Sequence, residues 1–385
     1  MENKRFYHVI IGSKGFFDKK IPDALENNKS SNFIDLVKRN DRKSTRGFKK
    51  DVVKDLIVKN EHYCGIVEGA HDCLGALIEE YTTDDANIYI HNPPRYLLEY
   101  LTDQHERRII MLDIVPEEYV IDGDKKTFAS KINKISSHII GQKTVIDEIS
   151  KSLWYLTSVN RARPYVIMLY GNSGLGKTEL VRKISEEFFE GVFLEKHLSM
   201  FKNPNYSDYF FGNEPNRRSL AFDLLERKSN LVFFDEMDKC PEHFYSAFYS
   251  LFDNTIFKDA TYDVDISNLV IVMTSNFHSE EEIKKQLGDP IFYRIDKYVH
   301  FYDFDSDTIN EIVMNEIESR KDEYNGKLTS RDIYKQVSPL VFTKGENART
   351  IKQKVQQVIE NMLYREIDIQ LNNDLNTHKP QVSKN

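Results

Sequence analysis

Cysteine is scarce: the 385 residues hold three, Cys64, Cys73 and Cys240. An odd count argues against a closed disulfide framework, and no two stand at the short spacing of a metal-binding pair. A reducing, cytoplasmic setting is the expectation. No apolar run approaches the length of a membrane span. The opening stretch, Met1-Glu-Asn-Lys-Arg-Phe-Tyr-His8, lacks the apolar segment of a secretory leader, so no membrane partner is expected. A basic excess is missing as well. The formal net charge of −8 gives the whole chain no attraction to nucleic acid. His62, His71, His91 and His105 share no ligand spacing and read as ordinary packing or surface residues. What remains is a globular composition. Hydrophobic residues make up 40% of the chain, enough for full-sized cores, and the length suits two or three domains.

The most informative stretch is Tyr165–Lys183. Its apolar run, Val166 to Tyr170, suits a buried parallel strand. Then comes Gly171-x-x-x-x-Gly176-Lys177-Thr178, the P-loop (Walker A) pattern. Leu180, Val181, Ile184 and Phe188 follow at helical spacing. The glycines let the backbone turn its N–H groups toward a phosphate, and the helix start adds partial positive charge. Lys177 suits the β- and γ-phosphates, and Thr178 offers an oxygen to Mg²⁺.

Downstream, Leu231-Val-Phe-Phe-Asp235-Glu236 is an apolar strand running into an acidic pair, the Walker B form. Asp235 can hold Mg²⁺ through water, and Glu236 can orient the attacking water. Leu269-Val-Ile-Val-Met-Thr-Ser-Asn276 is a second apolar strand with a polar tip. Asn276 sits beside the phosphates if this strand neighbours the P-loop strand. Pro290-Ile-Phe-Tyr-Arg294-Ile-Asp296 follows, then a strand over Tyr298–Phe301. Val192–Leu198 is a further strand. Helices are expected over Leu220–Arg227, Phe244–Phe252, Asp305–Glu318 and Asn347–Ile369.

Residues 1–115 read as a small α/β domain without a catalytic constellation. Phe6–Ile11, Ala86–His91 and Arg108–Val115 are strands; Phe33–Arg39, Asp51–Lys59 and Tyr96–Gln104 are helices. The last strand–helix–strand set predicts a parallel pair. Lys38, Arg39, Arg42, Lys43, Arg46, Lys49, Lys50 and Lys54 crowd one stretch. It reads as a solvated loop, or else as a surface for phosphates or an acidic partner. Residues 116–136 are charged and weakly periodic, a connector. An amphipathic helix with Val145, Ile146, Ile149, Leu153 and Leu156 follows.

The order Ile140-Gly141-Gln142, P-loop, Asp235-Glu236, Ser275-Asn276, Arg294-Ile295-Asp296 and Ala348-Arg349 resembles AAA+ ATPases of the Clp unfoldase and disaggregase group. The resemblance covers residues 136–370 and is nearest to the second ATPase ring of the disaggregases. The Asp-Glu-Met-Asp-Lys wording is shared with torsins, relatives that lack the finger arginine. The resemblance implies an α/β fold: a three-layer P-loop core with a parallel sheet over 137–304 and a small helical lid over 305–371. Outside the resemblance, the residues themselves give a separate α/β domain over 1–115 and a linker over 116–136 before it, and a polar, disordered tail over 372–385 after it.

It also implies roles. Asn172, Ser173, Gly174, Leu175, Gly176, Lys177, Thr178 and Glu179 would hold the triphosphate of ATP, with Thr178 and Asp235 on Mg²⁺. Ile140 and Gly141 would lie against the adenine. Glu236 would be catalytic, with Asn276 as sensor 1 and Arg294 as the finger reaching a neighbouring subunit. Arg349 would be sensor 2, or else a surface helix residue, because its signature is stretched to Gly345-Glu-Asn-Ala-Arg349. Arg294 read without the resemblance could instead pair with Asp296 or another carboxylate.

One element of the group is missing. Only 22 residues, 213–234, lie between Gly212 and Asp235, and Asn213-Glu-Pro-Asn-Arg-Arg-Ser219 holds no aromatic between glycines. The threading loop is expected to be shortened, and Tyr206, Tyr209, Phe210 and Phe211 to pack. The expected function is Mg²⁺-dependent ATP hydrolysis by a homo-oligomer, ring or open ring, that remodels or controls a protein partner bound through residues 1–115. The alternatives are an ATP-controlled assembly switch with slow hydrolysis and a nucleic-acid-linked protein using the 38–54 stretch.

Overall fold

In the computed structural model, all residues are described except 1–3, 23–24, 26–30, 46–47, 64–71, 202–206, 213–216, 325–326, 342–344 and 378–385; the side chains of Ser207 and of 366–377 are also left aside. Cys64, His71, Arg46, Tyr206 and the 213–216 part of the shortened loop therefore lie outside the described residues.

The first sheet is built from β1 (Phe6–Ile11), β2 (Val53–Val58), β3 (Thr82–His91) and β4 (Met111–Pro116), in the order β2-β3-β1-β4. All neighbours run parallel. The helices accompanying them are α1 (Lys14–Lys20), α2 (Phe33–Thr45), α3 (Leu74–Glu80) and α4 (Arg95–Glu106). Two expectations change here. The stretch 51–59 is a strand, not a helix: Leu56, Ile57 and Val58 are buried. So short an apolar run has no readable period, and β-branched Val53, Ile57 and Val58 suit a sheet. The parallel strands β3 and β4 do not pair with each other, because β1 lies between them. In the basic stretch, Lys43, Lys50 and Lys54 form ion pairs with Asp51, Glu80 and Asp85.

The expected connector is not a plain linker. Its second half belongs to α5 (Lys125–His138), capped by Asp124, whose side chain accepts the Thr127 N–H. Phe128 and Ile135 of α5 are buried in the core of the second sheet. After α6 (Lys143–Leu156) come β5 (Tyr165–Tyr170), α7 (Lys177–Phe188), β6 (Leu194–His197), α8 (Ser207–Phe211), α9 (Leu220–Leu225), β7 (Leu231–Asp235) and α10 (Tyr245–Asp253). Short β8 (Ile256–Lys258) and β9 (Asp263–Asp265) pair antiparallel, then β10 (Val270–Thr274), α11 (Glu280–Phe292) and β11 (Lys297–His300) complete the layer.

The second sheet has the order β11-β5-β10-β7-β6, all parallel. Its central strands are near-continuous apolar runs because helices cover both faces. Every residue of β10 is buried, as are Val166–Tyr170 of β5. The sensor strand β10 therefore does neighbour the P-loop strand, with Val270 opposite Tyr165. Three helices, α12 (Ser306–Ser319), α13 (Ser330–Val341) and α14 (Ala348–Thr377), close a separate small core around Val313, Ile333, Val337 and Ile351. Residues 372–377, expected in the tail, continue α14.

The two sheets meet along a polar seam. The Glu226 carboxylate, just past α9, accepts the Lys14 N–H at 3.1 Å and the Asn60 amide at 2.8 Å. Arg95 donates to Asp263 at 2.5 Å and, through its backbone N–H, to the Thr261 carbonyl at 2.8 Å.

The aromatics before α9 pack. Phe210 is buried against Phe201, Phe244 and Phe248. The Tyr209 hydroxyl donates to Asp223 at 2.7 Å, and the Lys196 ammonium lies 4.8 Å from its ring centre. Phe211 alone of these three is exposed, at 37%. Tyr209→Ala is expected to lower stability by up to about 3 kcal/mol, toward the low end for losing a packed aromatic. ATP hydrolysis by the folded variant should stay within a few-fold of wild type. Thermal melting and steady-state turnover check both. A folded variant that hydrolyses ATP but loses translocation of a protein substrate would restore a threading role.

Candidate functional site

The site lies at the C-terminal ends of β5, β10 and β7, where open parallel sheets place their ligands. At the end of β5 the chain turns through Gly171 at φ 133°. A Cβ there would stand 2.5 Å from the Phe301 carbonyl oxygen, so no side chain fits. Asn172 and Ser173 are exposed and Leu175 is buried. The Asn172 amide donates to Asp303 at 2.7 Å. Gly176, at φ 98°, leads directly into α7.

Lys177 is 7% exposed. Its ammonium donates to the Gly171 carbonyl at 2.6 Å, the Asn172 carbonyl at 2.8 Å and the Asn276 amide oxygen at 3.3 Å. Burial pushes its pKa down to about 8, against the opposing pull of Asp238 and Asp235. A buried ammonium resting on carbonyl oxygens can exchange them for phosphate oxygens, which carry full charge. Thr178 Oγ1 stands 3.5 Å from Asp235 Oδ1. Glu179 is exposed in the first turn of α7.

Asp235 ends β7. Its Oδ1 accepts a hydrogen bond from Thr274 Oγ1, and His197 Nδ1 stands 3.4 Å from its Oδ2. Glu236 is half-buried with φ 61° and ψ 52°. This left-handed conformation costs a non-glycine residue on the order of 1–3 kcal/mol and persists only where the surroundings enforce it. Asn276 donates to Asp238 through its backbone N–H at 3.2 Å and its amide at 3.4 Å. One cluster thus gathers Lys177, Thr178, Asp235, Glu236 and Asn276. Thr274, Asp238 and His197 join it without having been singled out in the sequence. Their polar character was visible, but their placement depends on the β10–β7 and β6–β7 pairings, which no local motif encodes.

The remaining predicted residues lie around this cluster. Ile140 packs on the small helical core. Gly141, at φ 73°, sits so close to α12 that a Cβ would fall 2.3 Å from a Thr308 methyl. The Gln142 amide donates to the Tyr302 carbonyl at 2.8 Å. The Ala348 N–H donates to the Gly174 carbonyl at 3.0 Å, so the start of α14 rests on the phosphate loop. Arg349, one residue on, is exposed in the first turn of α14.

Arg294 is not in the cluster. It pairs with Asp253 at 2.5 Å, donates to the Pro290 carbonyl and lies 5.2 Å from the Tyr249 ring centre. Asp296 is taken by Arg161 at 2.9 Å and Arg163 at 2.7 Å, so the in-chain partner of Arg294 is Asp253.

Among the described residues no group of three or more His, Cys, Asp or Glu could hold a metal. Cys73 and Cys240 are free, and burial pushes the Cys240 thiol up to about 12, which leaves it unreactive. No helix among the described residues is long and apolar enough to cross a membrane.

A phosphate loop and an acidic strand end on one parallel sheet, flanked by a helical lid, define a P-loop ATPase. The sequence model of the AAA domain family (Cdc48 subfamily) matches residues 163–367, more than half of the chain, and the chain belongs to that family. Its relatives place it in the Clp group of AAA+ ATPases. It is 26% identical over 298 residues to the mitochondrial chaperone protein ClpB3 of Oryza sativa subsp. japonica, covering 64% of this chain and 29% of the relative. It is 22% identical to chaperone protein ClpB 2 of Nostoc sp., covering 66% and 33%. It is 23% identical to chaperone protein ClpB of Mycoplasmoides gallisepticum, covering 70% and 41%. The chain thus spans roughly a third of the length of these relatives.

Proposed function

We propose that this chain is a Mg²⁺-dependent ATPase, active as a ring or open ring, whose turnover remodels or controls a protein partner engaged by residues 1–115. The observation that carries the reading is the convergence of Lys177, Thr178, Asp235, Glu236 and Asn276 on one end of the sheet. The N–H groups of 172–178 and the Lys177 ammonium bind the triphosphate, Lys177 giving up the Gly171 and Asn172 carbonyls. Glu179 lies in the same helix start, and Ile140 and Gly141 flank the adenine. Thr178 and Asp235 would hold Mg²⁺, which neutralises charge on the phosphates when bound. Glu236 orients the attacking water and Asn276 bridges toward the γ-phosphate. Arg349 reaches the nucleotide when the lid swings, since Ala348 already touches the loop.

Chaperone names among the relatives favour protein over nucleic acid as the partner. The pairing of Lys43, Lys50 and Lys54 in the basic stretch points the same way. Glu226, between α9 and β7, ties residues 1–115 to the segment that leads into the acidic pair. The test is Mg²⁺-dependent phosphate release with and without an unfolded protein, alongside assembly state by light scattering. Turnover that EDTA abolishes supports the reading. Nucleotide-dependent assembly with negligible turnover would replace it with an ATP-controlled switch, and salt-sensitive binding to DNA or RNA with a nucleic-acid-linked function.

A further inference from the structure

We propose that Thr274 and Asp238 are positioning residues that fasten the turn after β7 to the tip of β10 and thereby aim Glu236. The proposal rests on reading Asp235 as the Mg²⁺-side carboxylate and Glu236 as the water-orienting one.

Glu236 is held at φ 61° in a conformation that a side-chain-bearing residue rarely adopts. Something nearby has to hold it there. The Glu236 N–H donates to Thr274 Oγ1 at 3.1 Å. The same hydroxyl donates its own proton to Asp235 Oδ1. A hydroxyl is both donor and acceptor, so one oxygen serves both acidic residues. It fixes the backbone of Glu236 and occupies one oxygen of Asp235. Thr274 is 2% exposed, so solvent is poorly placed to replace it. A second fastening lies two residues further on. Asp238, with its side chain 7% exposed, accepts both the backbone N–H and the side-chain amide of Asn276. Glu236 is therefore bracketed. Thr274 ties its N–H on one side, and Asp238 ties the turn to Asn276 on the other.

The bracket also reaches the phosphate loop. With the Asn276 amide committed to Asp238, its oxygen is left facing the Lys177 ammonium. Asp238 thus sets which end of the Asn276 amide meets the phosphate side. Three residue roles that look independent in sequence share one small hydrogen-bonded frame.

Removing the Thr274 hydroxyl should leave ATP binding intact and misalign the water-orienting carboxylate. Thr274→Val keeps the volume and deletes the hydroxyl. Supporting groups of this kind change metal affinity or activity by about 10–100-fold. The expected result is a fall in kcat of that order with the KM for ATP within about 3-fold, and a higher half-saturating Mg²⁺ concentration. Thr274→Ser should recover most of the loss. Asp238→Asn should lower kcat by about 10-fold without changing the affinity for a fluorescent ATP analogue measured in EDTA. Thermal melting checks folding, and Thr274→Ala serves as a second hydroxyl deletion should the valine variant not fold.

Folded hydroxyl deletions with wild-type kcat and Mg²⁺ dependence overturn the proposal. So does a serine variant as impaired as the valine one. Glu236→Gln and Asp235→Asn, run beside them, separate the two levels. If these hydrolyse ATP like wild type, the reading of the acidic pair fails; if they are inactive while Thr274 and Asp238 variants are normal, only the bracket fails.

Discussion

Glu236→Gln is expected to leave ATP bound and stop its hydrolysis. The substitution keeps the size of the side chain and removes the charge. Glu236 makes no ion pair with the described residues, and its fixed position comes from its backbone N–H on Thr274. The amide should therefore occupy the same place. What is lost is a carboxylate able to polarise water, a contribution of about 10²–10⁴-fold. Turnover should fall at least about 100-fold, with the affinity for a fluorescent ATP analogue within a few-fold of wild type. Lys177→Ala should show the opposite pattern. The ammonium now resting on the Gly171 and Asn172 carbonyls is the site's main positive charge, and without it binding itself should collapse. Equilibrium binding and single-turnover hydrolysis on the two variants resolve the split. A Glu236→Gln protein that hydrolyses ATP at the wild-type rate would sink the proposed role.

The legible parts of this molecule were those with local causes. Gly171 and Gly176 mark backbone angles that other residues avoid, and the runs before Gly171 and Asp235 are too apolar for anything but buried strands. Parts decided by long-range pairing were not legible. The insertion of β1 between β3 and β4 depends on the path of a crossover that no residue announces. The six residues of β2 carry too little periodicity to tell a strand from a helix, and only their place beside β3 decides the matter. Helix α5 was hidden because its exposed face is charged, while just Phe128 and Ile135 are firmly buried. The sequence signal of helices α11 and α13 is broken by helix-disfavouring residues. A glycine and a proline, Gly288 and Pro290, interrupt the first, and Pro339 lies within the second. At the site, Thr274 and Asp238 looked like ordinary polar residues. Their importance lies in which atoms they touch across two strands.

Arg294 gives the most discriminating expectation, because its place in the sheet keeps it from its own ATP site. Lateral distance along the sheet is not the obstacle: β11 pairs directly with the P-loop strand β5. The obstacle is the length of the strand. The Asp296 N–H donates to the Val166 carbonyl at 2.9 Å, fixing this segment at the start of β5. Gly171 lies five residues away at the other end, about 17 Å at ~3.3 Å per residue. Arg294 thus stands near the opposite end of β5 from the phosphate loop of its own chain. Its present partner, Asp253, is a weak tether. Both side chains are partly exposed, at 30% and 42%, and such pairs contribute about 0–1 kcal/mol. A γ-phosphate offered by an adjoining subunit could displace that carboxylate and gain charge stabilisation in the transition state. Activity per chain should then rise with protein concentration. Arg294→Ala and Lys177→Ala should each be inactive alone, the first by at least about 10³-fold, as for other trans-acting arginines. Mixed, they should recover part of the activity. In a mixed ring some sites combine an intact phosphate loop from one chain with an intact Arg294 from the next. Asp253→Asn should leave assembly-dependent turnover intact or raise it, since it only releases the tether. Specific activity that stays flat across concentration, together with a mixture as inactive as its parents, would show that Arg294 is not a finger acting on a neighbouring subunit.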